Sequence, residues 1–370
     1  MSPPRPEVLA FLQEIKENPD DDTPRLILAD WLEEHGDPRG EFVRLQCQLA
    51  RMKVDDPQYE EMGRRQRALQ ERHRDEWLRL IRDLGREWEF RRGLLQCRLG
   101  SGSTHPWPDY NAAAENWAWV ESVRVVDGFL PEASTFGSLF LAQVPTLRLG
   151  GPGFDDAGWV AFLGAPERRY LRELEINNSS LQAVVGAMAV STDFSRLHTL
   201  VLVRNRLGPE GGVALAAARS FDRLSWLRIA QNKLDTRAVR ALAEAPFLKR
   251  LTVLDLQFNR IDPEGATALA ASPLARLEFL GLANNRIGPA GAVALASSPH
   301  LRRLKALDLT DNFLGDEGAV ALANSPLLSQ LNVLKLAYNR ITRSGAEALD
   351  RSPFRRPALA IDLTGNSINA

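Results

Sequence analysis

The chain has 370 residues, 44% of them hydrophobic, with 46 basic and 47 acidic side chains and a formal net charge of −1. This length suits two domains or one long repeat array, and the near-neutral charge excludes a molecule that attracts polyanions over its whole surface. Two cysteines, Cys47 and Cys97, cannot build a disulfide framework, and no apolar run approaches the ~20 residues of a membrane helix. We therefore expect a cytoplasmic protein that does not bind membranes.

Short helices are predicted at the N-terminus. Apolar residues fall on one helical face over residues 7–17, and Pro24 and Pro38 stand at the first positions of two further helices. The acidic run at residues 20–22 directly precedes the second helix, which favours helix capping over a cation site. The sequence therefore predicts a small all-α domain over residues 1–52.

Residues 17–42 read ENPDDDTPRLILADWLEEHGDPRGEF. This stretch closely resembles the planctomycete repeat-companion domain, a family found at the N-terminus of bacterial proteins whose remainder is a repeat array. The resemblance extends over the all-α domain as a whole. It implies an architecture, because the family has no assigned biochemical activity.

Residues 53–93 are predicted to form a helical connector. Between Arg64 and Arg92, ten Arg stand against six acidic residues. A solvated helix with ion pairs at i, i+4 spacing explains this composition as well as phosphate binding does. We expect Trp77 and Trp88 to pack the connector onto the repeats that follow.

Residues 94–370 are predicted to form a repeat array, divergent to about residue 195 and regular over residues 197–370. One apolar position recurs every 27 residues, with a single step of 26, at Leu200, Leu227, Leu254, Leu280, Leu307, Leu334 and Ile361. A second apolar column follows two residues later. An unbroken Asn column comes three residues after that, at Asn205, Asn232, Asn259, Asn285, Asn312, Asn339 and Asn366.

The repeat has a direct physical interpretation. Alternating Leu residues make a short strand with one buried face, and stacked units pair these strands into a parallel sheet. The chain then turns inward, where an Asn amide can donate to and accept from buried backbone groups, so we predict that the Asn column forms a structural ladder. Small residues and Leu at i, i+4 spacing build a helix in the second half of each unit.

Each unit reads LxxLxLxxNxL and resembles the ribonuclease-inhibitor class of leucine-rich repeats. Helices need ~10 Å of lateral room and paired strands only ~4.8 Å, so the stack must curve. The sequence therefore predicts an α/β fold, a curved leucine-rich-repeat solenoid with a parallel sheet on the concave face and helices on the convex face, carrying the all-α N-terminal domain.

Catalysis has no sequence motif in this chain. The five His residues stand in unrelated contexts, and no phosphate-binding loop, nucleophile elbow or metal-ligand spacing is present. We therefore expect a protein that is not an enzyme and that uses no cofactor and no metal.

The concave face is the candidate binding surface. Its strand positions are free of core constraints and carry aromatic and charged residues, which favour binding hot spots. We predict a protein partner at Trp226, Arg228, Asp255, Phe258, Phe279, Asp308, Asp311, Lys335 and Tyr338. The opposing interpretation is that these rings only pack against each other or against the neighbouring unit.

Nucleic acid is the alternative partner. It would use the Arg-rich connector and a basic series that follows the repeat Asn, at Arg206, Lys233, Arg260, Arg286 and Arg340. Acidic residues close in sequence could neutralise this series, namely Glu210, Asp235, Asp262 and Glu264.

Overall fold

The computed structural model describes residues 5–78, 87–99, 117–125, 144–151, 156–164, 170–191 and 194–368. The chain divides into two units, Met1–Gly153 and Phe154–Ala370.

The first unit begins with helices and continues with strands. Its described helices are α1 (Pro6–Glu17), α2 (Thr23–Glu34), α3 (Arg39–Arg51) and α4 (Tyr59–Leu78). Its described strands are β1 (Glu87–Arg91), β2 (Leu94–Leu99), β3 (Val120–Val125) and β4 (Thr146–Gly150). Strand β1 pairs antiparallel with β2, whereas β2, β3 and β4 pair in parallel. The predicted all-helical N-terminal region is therefore present.

The helical connector predicted over residues 53–93 included residues at its C-terminal end that form a strand. Helix α4 covers its first half, but Glu87–Arg91 forms a β-hairpin with β2. Trp88 and Phe90 alternate with glutamates in this segment, which is the two-residue period of a strand. The turn that joins the strands is left-handed, with φ of 48° at Arg92 and 87° at Gly93.

Trp77 packs inside the first unit. Its ring centroid lies 4.9 Å from that of Phe42 on α3 and 5.6 Å from that of Phe90 on β1. Trp88 lies beside Trp117, with ring centroids 6.5 Å apart. These contacts place the hairpin on the N-terminal helices.

The acidic run before α2 has two roles. The Asp21 carboxylate accepts a hydrogen bond from the backbone N–H of Thr23 at 2.9 Å, which satisfies an N–H at the start of the helix. Asp22 is buried and forms ion pairs with Arg51, at 2.7 Å, and with Arg92. Because a buried carboxylate without a partner is costly, these two guanidinium groups stabilise the loop before α2.

The second unit alternates strands and helices. Its described helices are α5 (Asp156–Gly164), α6 (Gly186–Val190), α7 (Gly208–Ala216), α8 (Thr236–Ala243), α9 (Pro263–Ala271), α10 (Gly288–Ala296), α11 (Gly315–Ala323) and α12 (Arg343–Asp350). Its described strands are β5 (Glu173–Asn177), β6 (Thr199–Val203), β7 (Trp226–Arg228), β8 (Val253–Asp255), β9 (Phe279–Gly281), β10 (Ala306–Asp308), β11 (Val333–Lys335) and β12 (Ala360–Asp362).

These eight strands pair in parallel and in chain order. We call one strand, its turn and its helix a rung. Leu residues of successive strands lie directly side by side, as Leu254 does beside Leu227 and Leu280. The second unit is therefore the predicted α/β solenoid.

The helices pack closely because glycine stands at their contact points. A Cβ atom built on Gly291 in α10 would lie 2.5 Å from Cγ2 of Ile287 and 3.0 Å from Cβ of Ala266 in α9. Both distances are shorter than ordinary van der Waals contact. The column of small residues therefore sets how near each helix approaches its own turn and the preceding rung.

The Asn side chains form a continuous hydrogen-bonded ladder. Asn312 is fully buried, and its Nδ2 donates to the carbonyl of Leu282 at 2.9 Å and to that of Leu309 at 3.1 Å. Its backbone N–H donates to Oδ1 of Asn339 at 2.9 Å. Equivalent N–H to Oδ1 bonds join the ladder at both ends of the series. From Asn232 onward, each amide thus satisfies backbone groups of its own rung and of the preceding rung.

A left-handed residue precedes each Asn. The φ angles of this column lie between 53° and 59° at Arg204, Gln231, Phe258, Asn284, Asp311 and Tyr338. Each backbone N–H of the column donates to a carbonyl of the following rung, as Phe258 does to Ala283 at 2.8 Å. A left-handed conformation costs a non-glycine residue about 1–2 kcal/mol, so the bonds between rungs hold the turn in place.

Removing one Asn should destabilise the second unit. Asn312→Ala leaves buried backbone groups without partners, and we expect the free energy of unfolding to fall by about 1–3 kcal/mol. Denaturant titration monitored by circular dichroism measures the change. Asn324→Ala, at the exposed end of α11, is the matched control and should change the midpoint little. Equal midpoints for the two variants would contradict the ladder.

Lys16 is a buried cation on α1. Its Nζ donates to the backbone carbonyl of Trp117 at 3.3 Å. Burial lowers the pKa of Lys16 to about 7, and the carboxylate of Glu121 offsets this effect only in part. Charging Lys16 therefore opposes folding at neutral pH.

Stability should rise with pH because of Lys16. Its pKa is about 7 in the folded chain and 10.5 as the ordinary value, so the unfolded chain binds more protons between these two pH values. The free energy of unfolding should then increase across this window by up to about 1.4 kcal/mol per pH unit. Lys16→Met should flatten the slope, and the exposed control Lys53→Met should preserve it. Urea titrations at pH 7 to 10 provide the measurement, and parallel slopes for both variants would refute the assignment.

Candidate interaction surface

Strand side chains of the second unit face in two alternating directions. The repeat Leu residues face the helices, and the residues between them form what we call the open sheet face. Its first row is Thr199, Trp226, Val253, Phe279, Ala306 and Val333. Its second row is Val201, Arg228, Asp255, Gly281, Asp308 and Lys335.

The charged residues of the second row pair with one another. Nε of Arg228 lies 2.8 Å from Oδ2 of Asp255, and Nζ of Lys335 lies 3.5 Å from Oδ2 of Asp308. Both carboxylates are buried, whereas both cations are exposed. The second Asp255 oxygen accepts the backbone N–H of Gln257 at 3.0 Å. Burial raises the pKa of Asp255 despite these partners, and the Asp308 carboxylate adds to the rise.

Gly281 stands between the two buried carboxylates, and neighbouring side chains occupy the room that its missing side chain leaves. A Cβ atom built there would lie 3.0 Å from Cε1 of Phe279 and 3.1 Å from Oδ1 of Asp255. The Phe279 ring therefore leans over its own strand and is half-buried. For this residue, packing against its own rung explains much of its burial.

The aromatic residues Trp226, Phe258 and Tyr338 remain exposed. Their exposed fractions are 46%, 47% and 58%. Among the described residues, no aromatic ring pair joins any two of these side chains or joins one of them to Phe279. Mutual packing therefore does not account for their position.

Three predicted site residues lie outside the strands. The sequence assigned Phe258, Asp311 and Tyr338 to strand positions, but the strands end three residues earlier, and these residues occupy the left-handed turn. The Tyr338 ring lies against the backbone of Gly365 in the next rung, where a Cβ atom would stand 2.3 Å from its Cε1. The turn carries these side chains to the strand ends, beside the open sheet face.

The predicted basic series lies at this same end. All five side chains, which we call the basic row, are exposed: Arg206, Lys233, Arg260, Arg286 and Arg340. Sequence reasoning missed Phe313, which occupies the same column between Arg286 and Arg340 and is 43% exposed. The guanidinium carbon of Arg340 lies 4.6 Å from the centroid of that ring. Phe313 lies 27 residues after Arg286 and 27 before Arg340, so the repeat spacing alone would have placed it in this column.

Neighbouring acids do not neutralise the basic row. Asp235 and Asp262 cap helices α8 and α9, accepting backbone N–H groups at 3.1 and 2.9 Å. Glu210 pairs with Arg237 on the adjacent helix at 3.2 Å. Within the described part of the chain, no cation of the basic row forms an ion pair.

Comparison with known proteins identifies the repeats. The leucine rich repeat family matches residues 197–216, 250–270, 277–296, 300–323 and 329–349. The chain therefore contains leucine-rich repeats, and the α/β solenoid is a leucine-rich-repeat fold. No curated protein matches the sequence.

Solved structures similar to this chain include the following three. The TLR13–ssRNA13 complex is 19% identical, with 67% of this chain and 33% of that chain covered and a TM-score of 0.42. The yeast Rad7–Elc1 complex is 15% identical, with 94% and 84% covered and a TM-score of 0.49. An internalin, InlF, from Listeria monocytogenes is 15% identical, with 72% and 86% covered and a TM-score of 0.34. This chain thus spans one third of the TLR13 chain.

The described residues were also compared with the requirements of a membrane helix and of a metal centre, and they meet neither. No helix among them has the length and apolar content to cross a membrane. They also bring together no group of three His, Cys, Asp or Glu side chains that could hold a metal ion.

Glycine substitutions should distinguish the open sheet face from the helix contacts. In Gly281→Ala the new methyl group meets the side-chain ends of Gln257, Phe279 and Asp255 at 2.9–3.1 Å; the half-buried Gln257 and Phe279 can shift toward solvent, so we expect a smaller loss of stability than in Gly291→Ala. In Gly291→Ala it meets Ile287 and Ala266, and overpacking of about 1–3 kcal/mol should exceed the gain of about 1 kcal/mol in helix propensity. Thermal melts of both variants test this, and a larger loss for Gly281→Ala would contradict it.

Proposed function

We propose that the chain is a non-catalytic scaffold that binds a protein partner on the open sheet face and the adjoining turns. The observation that carries this proposal is the exposure of three large aromatic side chains, Trp226, Phe258 and Tyr338, on a rigid surface. Large apolar groups kept in water cost free energy, and aromatic residues are typical of binding hot spots.

The rungs preorganise this surface. Successive strands lie ~4.8 Å apart, so residues 27 positions apart in sequence become neighbours. Trp226 stands at the start of β7, and Tyr338 lies in the turn after β11, so the anchors span several rungs. Because the Asn ladder and the Leu core already fix the backbone, a partner need not order flexible loops when it binds.

The charged pairs would select the partner. Arg228 and Lys335 are exposed above buried Asp255 and Asp308, so a partner meets cations whose charge is partly balanced from below. Asp311 is half-buried in the adjoining turn. Such pairs raise specificity and association rate more than affinity.

The remaining assignments rest on sequence resemblance. We propose that the repeats are of the ribonuclease-inhibitor class, because the regular units hold 27 residues, or 26 in one case, and a full helix. We also propose that the N-terminal helices are a bacterial repeat-companion domain, on the motif over residues 17–42, and that the protein is cytoplasmic. Both cysteines are unpaired and buried, which suits a reducing compartment.

The Arg-rich connector gives nucleic-acid binding less support than its composition suggested. On α4, Arg64 pairs with Glu61 at 2.8 Å. Arg65 pairs with Glu41 on α3. These pairs fit a solvated helix that packs against its neighbour.

Aromatic substitutions test the proposal. Trp226→Ala and Tyr338→Ala should each weaken partner binding by about 1–3 kcal/mol without unfolding the chain, because both side chains are exposed. Quantitative mass spectrometry compares proteins captured from lysate by the unaltered chain and by each variant. Glu317→Ala, exposed on α11, is the control and should retain every captured partner. If both aromatic variants capture every protein that the unaltered chain captures, the binding site lies elsewhere.

A further inference from the structure

The basic row is held in single file by the backbone. The N–H of Arg260 donates to the carbonyl of Leu234, the residue after Lys233, and the N–H of Arg286 donates to that of Ile261, each at 2.8 Å. The row therefore continues the close spacing of the paired strands, and consecutive cations lie about one rung apart.

This arrangement is unfavourable in the free protein. Like charges on directly adjacent strands repel one another, and no ion pair relieves the row within the described ranges. The side chains are exposed, so water and salt weaken this repulsion, and it is strongest at low ionic strength. A negatively charged ligand that lies along the rungs would relieve the repulsion at every position simultaneously.

The row is also narrow. Asp235 and Asp262 lie two residues beyond Lys233 and Arg260, at the helix starts. On the strand side, Asp311 lies in the left-handed turn, and Asp255 is buried in the second row. Carboxylates therefore border the row beside Lys233 and Arg260 on the helix side and beside Phe313 on the strand side.

We propose that the basic row binds an extended acidic segment of a protein partner. A polypeptide strand is one side chain wide and can place carboxylates on one side only, which suits a file of cations bordered by acids. Exposed Phe313, within the row, offers contact to an apolar residue of the segment. A nucleic acid would bring phosphates and bases across a broader footprint, against those flanking carboxylates. This surface adjoins the open sheet face at the turns, and the proposal does not depend on a partner bound there.

A defined peptide tests this surface directly. The probe is a labelled peptide of alternating Glu and Ser with one central Leu, compared with its Gln counterpart and with a labelled single-stranded oligouridylate. Fluorescence anisotropy with the full chain measures all three affinities at low and raised salt. We expect the Glu peptide to bind in a salt-dependent manner and more tightly than both other probes.

Matched variants assign the binding to the row. The triple variant Lys233→Gln, Arg260→Gln, Arg286→Gln should bind the Glu peptide at least about tenfold more weakly. The control triple Arg240→Gln, Arg276→Gln, Arg303→Gln removes the same charge from exposed positions elsewhere in the second unit and should bind as the unaltered chain does. Thermal melts verify that both variants fold.

Three results would overturn the proposal: no binding of the Glu peptide by the folded chain, equal loss in both triple variants, or tighter binding of the oligouridylate that the row variant abolishes. The last would assign the row to nucleic acid. The peptide experiment uses synthetic probes and does not need the natural partner. If it fails, the proposed binding on the open sheet face is unaffected. If the capture experiment fails, the peptide result still tests the basic row.

Discussion

The buried Asn amides are the interaction on which the second unit depends. A parallel sheet built from three-residue strands must reverse the chain after every strand, and each reversal carries backbone N–H and C=O groups into an apolar interior. Asn312 and its equivalents satisfy these groups in two rungs simultaneously. The same hydrogen bonds that close one turn therefore fix its position relative to the next, and stability becomes a sum of rungs and of the contacts between them.

This turn also determines which side chains are exposed at the strand ends. Since the Asn side chain faces inward, the residues immediately before and after it face solvent, as exposed Tyr338 and Arg340 do on either side of Asn339. The preceding residue must also adopt a left-handed conformation, which bonds to the following rung stabilise. The ladder thus displays two columns of unconstrained side chains at the strand ends, and both proposed binding surfaces draw on them.

The periodic part of this architecture was predictable from the sequence. Leu columns and the Asn register place the strands, the helices and their order, because one burial pattern repeats every 27 residues. The β1–β2 hairpin was missed because Arg-rich composition outweighed the short alternation around Trp88, and its left-handed turn lacks the Asn or Asp usual there. The pairing of Asp22 with Arg92 was not predictable, since 70 residues separate them. Phe258 was predicted to lie in a strand but lies in the turn. The prediction was wrong because the turn residues differ between repeats, so the repeat pattern does not show where each strand ends.

The two proposed surfaces differ in how their charges are balanced, and this difference would separate their roles. On the open sheet face each buried carboxylate has a cation above it, so the charges are satisfied before any partner arrives and can only discriminate between partners. On the basic row the cations lack such partners among the described residues, so a complementary ligand would not have to displace an existing ion pair. Aromatic anchors would then supply affinity on the sheet, whereas charge would supply it along the row. Added salt should therefore weaken binding to the row far more than binding to the sheet, which makes ionic strength the physical variable that distinguishes the two surfaces.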